Sequence, residues 1–169
     1  MFNFTGHERP EFAIEPGPGQ ESVWDYPRPP VARQCKKLVE VKYGDVELAH
    51  SSRSYRLLET ASPPTFYLPH DDIFWEQLIK APGSSVCEWK GAAHYWAVAT
   101  DANTPVAWCY PRPRARYSML KDYVAFYPAR VECFVDAERV VPQPGRFYGG
   151  WITSDVVGPF KGEPGTGHW

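Results

Sequence analysis

Only two methionines, four cysteines without a Cys-x-x-Cys pair, and no apolar run of membrane-spanning length occur in these 169 residues. Each shortage excludes something. Without paired cysteines a zinc knuckle or thioredoxin-type centre has no ligands, and Cys35, Cys87, Cys109 and Cys133 read as free, mostly buried thiols. Without about 20 consecutive apolar residues no helix spans a bilayer. Charge of one sign is also scarce, since 18 basic residues face 20 acidic ones for a formal net charge of −2, with no long single-sign block. The phosphate attraction that drives nucleic-acid binding is therefore not expected. The opening residues, MFNFTGHERPEF, lack a basic segment leading into an apolar stretch. No secretory signal is expected there, and a cytoplasmic setting is.

What is present in excess is proline, with 18 residues, beside 13 glycines, seven tryptophans and an aromatic share of 15%. That is roughly twice the usual proline content of about 5%. Proline removes a backbone donor and clashes inside helices and central strands, so short strands joined by proline-rich turns are favoured. Residues 38–43 and 46–49 flank Gly44-Asp45 and read as a β-hairpin, and residues 131–135 and 139–141 read as a second one around Asp136-Ala137. Residues 93–100 and 105–110 form a further strand pair, and 123–127 another strand. A short helix from Asp71 or Asp72 through Lys80 and a second over 114–121 are expected from apolar spacing.

The chain also echoes itself. Trp24-Asp25-Tyr26-Pro27-Arg28-Pro29 recurs as Trp108-Cys109-Tyr110-Pro111-Arg112-Pro113, Val39-Glu40-Val41 as Val131-Glu132-Cys133, and Trp89-Lys90-Gly91 as Phe160-Lys161-Gly162. Three anchors in one order point to duplication. The expected architecture is a mainly β, compact small β-barrel or tent-like single domain, built from two diverged repeats with one or two short helices. Residues 1–20 form an N-terminal extension, and the pseudo-repeat halves are about 21–100 and 101–169.

Several of these segments together resemble the domain-of-unknown-function 427 family of bacteria and fungi: Glu21 to Pro30, Leu58-Glu59-Thr60 with Pro63-Pro64, Trp89 to Trp96, Ala107 to Pro111, Tyr123 to Pro128 and Gly158 to Gly162. The resemblance runs from about Glu21 to Trp169 and implies a small, mainly β fold without implying a reaction. A nucleotidyltransferase label sometimes attached to that family finds no support in these residues. Gly83-Ser84 is followed by no alternating carboxylates for magnesium, and no Gly-rich phosphate loop ends in Lys-Ser or Lys-Thr.

Among candidate catalytic residues Lys90 comes first, because a Lys-Gly step between Trp89 and the pair Tyr95-Trp96 sets an amine against ring faces. Desolvation would lower its pKa and make it a base, nucleophile or anion clamp, whereas a stem packed on tryptophan with its ammonium in water is the structural alternative. His94 is an acid or base in this pattern, or a packed imidazole. Glu59, between apolar neighbours and Thr60, is a general base or a partner in a structural ion pair. Cys87 is either a nucleophile or a buried structural thiol. Candidate binding residues are Trp24, Tyr26, Arg28, Thr60, Trp89, Tyr95, Trp96, Trp108, Tyr110 and Arg112, since arginine beside aromatic rings stacks on one group and forks onto a carboxylate or phosphate.

These residues favour a cofactor-independent small-molecule-binding protein with an aromatic and lysine-lined pocket where the two halves meet. If catalytic, it would run acid–base chemistry of the isomerase, lyase or hydrolase type. The alternative is a non-catalytic ligand-sensing or protein-interaction domain, and a homodimer with its site at the subunit boundary is a third reading. No cofactor or metal is expected, and neither nucleic acid nor membrane is an expected partner.

Overall fold

The computed structural model describes residues 2–145 and 147–169. Along the chain run β1 (Glu21–Ser22), β2 (Val31–Cys35), β3 (Val39–Tyr43), β4 (Val46–Ser51), β5 (Ser54–Leu58), β6 (Thr65–Tyr67), β7 (Leu78–Cys87) and β8 (Gly91–Val98). They are followed by β9 (Pro105–Cys109), β10 (Val124–Phe126), β11 (Glu132–Val135), β12 (Glu138–Arg139), β13 (Val141–Pro142), β14 (Trp151–Ile152) and β15 (Val156–Val157). Both expected hairpins form. Gly44 at φ 60° turns the first, and Asp136 and Ala137, at φ 47° and 67°, turn the second. The Asp136 carboxylate accepts from the Leu38 N–H at 2.9 Å, which tethers one hairpin turn to the start of the other hairpin.

The helices expected at 71–80 and 114–121 are 3₁₀ turns instead, at His70–Asp72, Trp75–Gln77 and Ala115–Leu120. Leu78, which carries the helical spacing of the first, begins β7 opposite Val98. Pairing with β8 engages eight residues of β7, and an isolated helix of that length would be marginal.

Two layers organise the core. β12-β11-β3-β4 form one sheet. The β2-β5-β6 and β10-β9-β8-β7 sheets join through the Leu68–Val124 bridge, whose N–H···O bonds are both 2.8 Å. Among the described residues this joined sheet stays open, with β2 and β7 as its edges, so the fold is mainly β but not a closed barrel. Strand alternation gives the joined sheet two apolar faces. Ala107, Cys109, Val124 and Phe126 pack with Val39, Val41, Leu48 and Cys133 in the main core, while Trp108, Ala125, Tyr67 and Ala93 face the other way into an aromatic cluster.

β3 and β11 pair antiparallel with Val41 directly opposite Cys133, Glu40 opposite Phe134 and Lys42 opposite Glu132. Val41 and Cys133 are the matching positions of the sequence echo, so the two hairpins are related by a local two-fold through that pair. Trp24 and Trp108 do not share a setting. Trp24 sits in the 3₁₀ turn Val23–Asp25, walled by Phe4, Phe12 and Trp169, whereas Trp108 lies on β9. None of the described helices is long and apolar enough to cross a membrane.

Candidate functional site

The joined sheet's second apolar face walls a cavity of about 660 Å³. Leu57 on β5, Thr65 and Tyr67 on β6, Ala93 and Tyr95 on β8 and Trp108 on β9 contribute from the sheet. Lys90, Trp89 and Cys87 come from the β7–β8 turn, and Gln143, Tyr148 and Lys161 from the C-terminal part of the chain. Its aromatic walls are mutually braced: Tyr67 meets Trp108 edge-on at 6.2 Å, and Trp108 lies 4.5 Å from Tyr127.

The turn that presents Lys90 is locally determined. Cys87 pairs with Gly91 across a three-residue connection, and the Lys90 carbonyl accepts from Arg114 N–H at 3.0 Å. Gly91 adopts φ 108°, a region closed to most side chains, and an added Cβ would lie 3.2 Å from the Arg112 carbonyl. Lys90 is consequently driven inward, and only 9% of it is exposed. Its Nζ stands 5.7 Å from the Tyr110 ring centroid, and no carboxylate among the described residues reaches salt-bridge distance of it. Burial opposes the ammonium, but Tyr67, Cys87 and Glu59 around it outweigh burial, and the Lys90 pKa is raised. The raised pKa favours the ammonium over the expected desolvated base, and an ammonium in this setting suits an anion clamp.

Lys161 arrives from the C-terminal part of the chain, again ahead of a glycine at positive φ. Gly162 at φ 142° approaches the Pro144 carbonyl so closely that a Cβ would lie 1.9 Å from it. The Gln143 side chain donates to the Lys161 carbonyl at 2.8 Å and accepts from Gly150 N–H at 3.1 Å, fixing the strap. Burial and the nearby Arg28 hold the Lys161 pKa below its ordinary value. Tyr67 and Tyr110 are pushed up by burial, so both are neutral phenols.

Glu59 lines the same cavity, but its carboxylate is engaged: Arg28 Nε donates to it at 3.2 Å. The Arg28 guanidinium also donates to the Phe4, Thr60 and Trp169 backbone oxygens. Thr60 Oγ1 donates to the Tyr26 carbonyl at 2.6 Å, and the Tyr26 hydroxyl donates to Glu21. Trp24, Tyr26, Arg28 and Thr60 thus form a knot behind the cavity rather than its lining. His94 does not join Lys90 and Glu59. Alternation along β8 turns it to the opposite face from Ala93 and Tyr95, into a shallow crevice beside Lys80–Ser84. Trp96 shares that opposite face, packing against the main core and donating to Cys109 Sγ at 3.4 Å. Arg112 is exposed and touches the site only through its main chain beneath Gly91.

Besides Cys87, already a candidate from the sequence, the lining holds four further residues, Tyr67, Tyr127, Gln143 and Lys161. Of these, Lys161 carried a sequence signal, its echo of Lys90. Outside the cavity, Glu40, Glu47 and His50 are the group among the described residues whose ligand atoms lie within 4.8 Å of one another; all are on the β3–β4 hairpin, and Glu47 and His50 pair at 3.2 Å.

Fold and site together define a class: an open, mainly β protein with an aromatic cavity holding buried cations. Within that class, residues 31–137 match the model of the family described as a domain of unknown function, DUF427, and the chain belongs to that family. The matched segment contains Glu59, Cys87, Lys90, Trp108 and Tyr110, while Arg28 and Lys161 lie outside it. No curated protein matches the chain.

Proposed function

We propose that this protein binds a small organic anion with a flat, apolar body in the aromatic cavity, without a cofactor. The observation that carries it is Lys90, a buried cation with no carboxylate partner among the described residues, aimed into a hollow walled by Trp108, Tyr110 and Tyr67. Burying an ion is expensive unless it is paired, and a bound carboxylate or phosphate supplies the missing charge while its body stacks on the rings. Lys161 and Arg130 add positive charge to the lining against Glu59 and Glu88. The two-fold register at Val41 and Cys133 supports two diverged copies whose Lys-Gly steps converge on one site.

Binding is favoured over acid–base catalysis because the raised Lys90 pKa favours its ammonium and Glu59 is engaged by Arg28. Isomerase, lyase or hydrolase chemistry would have to run on Lys90, Glu59 and the tyrosines without His94. Aromatics that line a hollow rather than an exposed patch favour a small molecule over a peptide surface. The four free thiols fit a cytoplasmic setting.

The test is thermal shift and calorimetry with benzoate, 2-naphthoate and phenyl phosphate against neutral benzyl alcohol. The anions raise Tm, by an amount equivalent to about 2.7 kcal/mol at a hundredfold excess over Kd, and the alcohol does not. Lys90→Met abolishes the shift, and Lys90→Arg retains part of it. Equal effects from anions and alcohol, or none from any probe, would overturn the proposal.

A further inference from the structure

Cys87 stands apart from the other cysteines. Cys35, Cys109 and Cys133 are buried, and burial pushes the Cys109 and Cys133 thiols up and out of reactivity. Cys87 is half-buried and lines the cavity. Its position follows from the turn already described: it closes β7 opposite Gly91, with only Glu88, Trp89 and Lys90 between. The same cavity receives the Lys90 ammonium, 9% exposed and without a salt bridge among the described residues, while the Tyr110 ring lies 5.7 Å from Nζ. A cation that shares a turn and a cavity with a sulfur stabilises negative charge as it develops there, and the same cation holds an incoming carboxylate within that cavity.

We propose that Cys87 is a nucleophilic capture site for small carboxylates bearing an electrophilic carbon, with Lys90 as the residue that receives the carboxylate. The proposal rests on the reading of the cavity as an anion site and extends it to a covalent step. With iodoacetate, a sulfur electron pair forms the S–C bond, the C–I bond breaks, iodide departs with the C–I bonding pair and the thiol proton passes to water. Nothing is oxidised or reduced.

The experiment compares labelling rates of the intact protein by iodoacetate and by iodoacetamide, which share a size and leaving group and differ in charge, with N-acetylcysteine as the reference thiol. Peptide mapping locates the label, and Cys87→Ser is the control. The iodoacetate-to-iodoacetamide rate ratio is expected to exceed that of N-acetylcysteine by about tenfold, a conservative share of what one nearby unit charge supplies. All label falls on Cys87, benzoate slows it, and Lys90→Met returns the ratio to the reference value. Should Lys90→Met not fold, the wild-type ratio and Lys90→Arg, which preserves it, decide alone. A wild-type ratio equal to the reference, or label on another cysteine, overturns the proposal. If benzoate binds while the ratio stays at the reference, the anion site stands and the nucleophile falls; if neither occurs, both fall.

Discussion

Replacing Glu59 by Gln separates stability from binding, because the two respond with opposite signs. The carboxylate sits 3.2 Å from Arg28 Nε, with side chains 22% and 3% exposed. At the effective dielectric of about 20 that suits such pairs, one charge pair at this distance is worth about 5 kcal/mol before desolvation. Glu59 recovers hydration on unfolding, glutamine keeps an acceptor oxygen, and Arg28 retains three backbone-oxygen partners. The net loss should be about 2 kcal/mol, less than the 3–5 kcal/mol of a fully buried broken pair. For a chain of this size that is a fall in Tm of about 4–8 °C. Anion binding moves the other way. Removing a carboxylate that acts on both Lys90 and Lys161 should tighten benzoate about fivefold, a change of about 1 kcal/mol. Urea unfolding with an unchanged m value reads the first effect and calorimetry the second. An unaltered midpoint would mean the ion pair behaves like a surface bridge, and weaker benzoate binding would make Glu59 a ligand contact, refuting its assignment as a countercharge.

Lys161→Met should stabilise the protein by about 1 kcal/mol, because a methionine keeps the packed stem and removes a desolvated charge whose hydrogen bond to the Trp169 backbone oxygen is long, at 3.4 Å. Since the folded pKa lies below the ordinary value of 10.5, the unfolded chain binds the extra proton in the window between them and wild-type stability rises with pH there. The advantage of the variant must therefore shrink toward pH 10.5 in parallel melts, and a constant or growing advantage would contradict this sign. Gly149→Ala places a Cβ 2.3 Å from Trp108 Cη2; the indole must shift, at a cost of about 1–3 kcal/mol, with loss of benzoate binding and a changed tryptophan emission. Asp72 accepts from Arg53 and Ser51, which hold its carboxyl below the usual 3.8. Its contribution is complete above that value and lost as pH falls through the lower folded pKa, so Asp72→Asn should flatten part of the acid unfolding curve and leave its slope above pH 5 unchanged.

How far the sequence reaches can be argued from three residues. The hairpins at Val39 and Val131 were legible because alternation and turn residues are local, and their echo even foretells which residues meet across the two-fold, Val41 and Cys133. The sequence singles out Lys90, which lines the cavity, but the direction of its pKa was not legible, because that depends on Tyr67, Cys87 and Glu59, groups brought near it by the turn and by the chain at β5 and β6. His94 shows the opposite failure. Four residues from Lys90 suggested proximity, yet β8 runs straight beyond the Gly91 turn, and an even number of steps from Ala92, an odd number from Ala93 and Tyr95, sends the imidazole through the sheet. A spacing that gathers side chains on a helix separates them on a strand. Sequence proximity therefore found the cavity's cation, while register decided which neighbours share it.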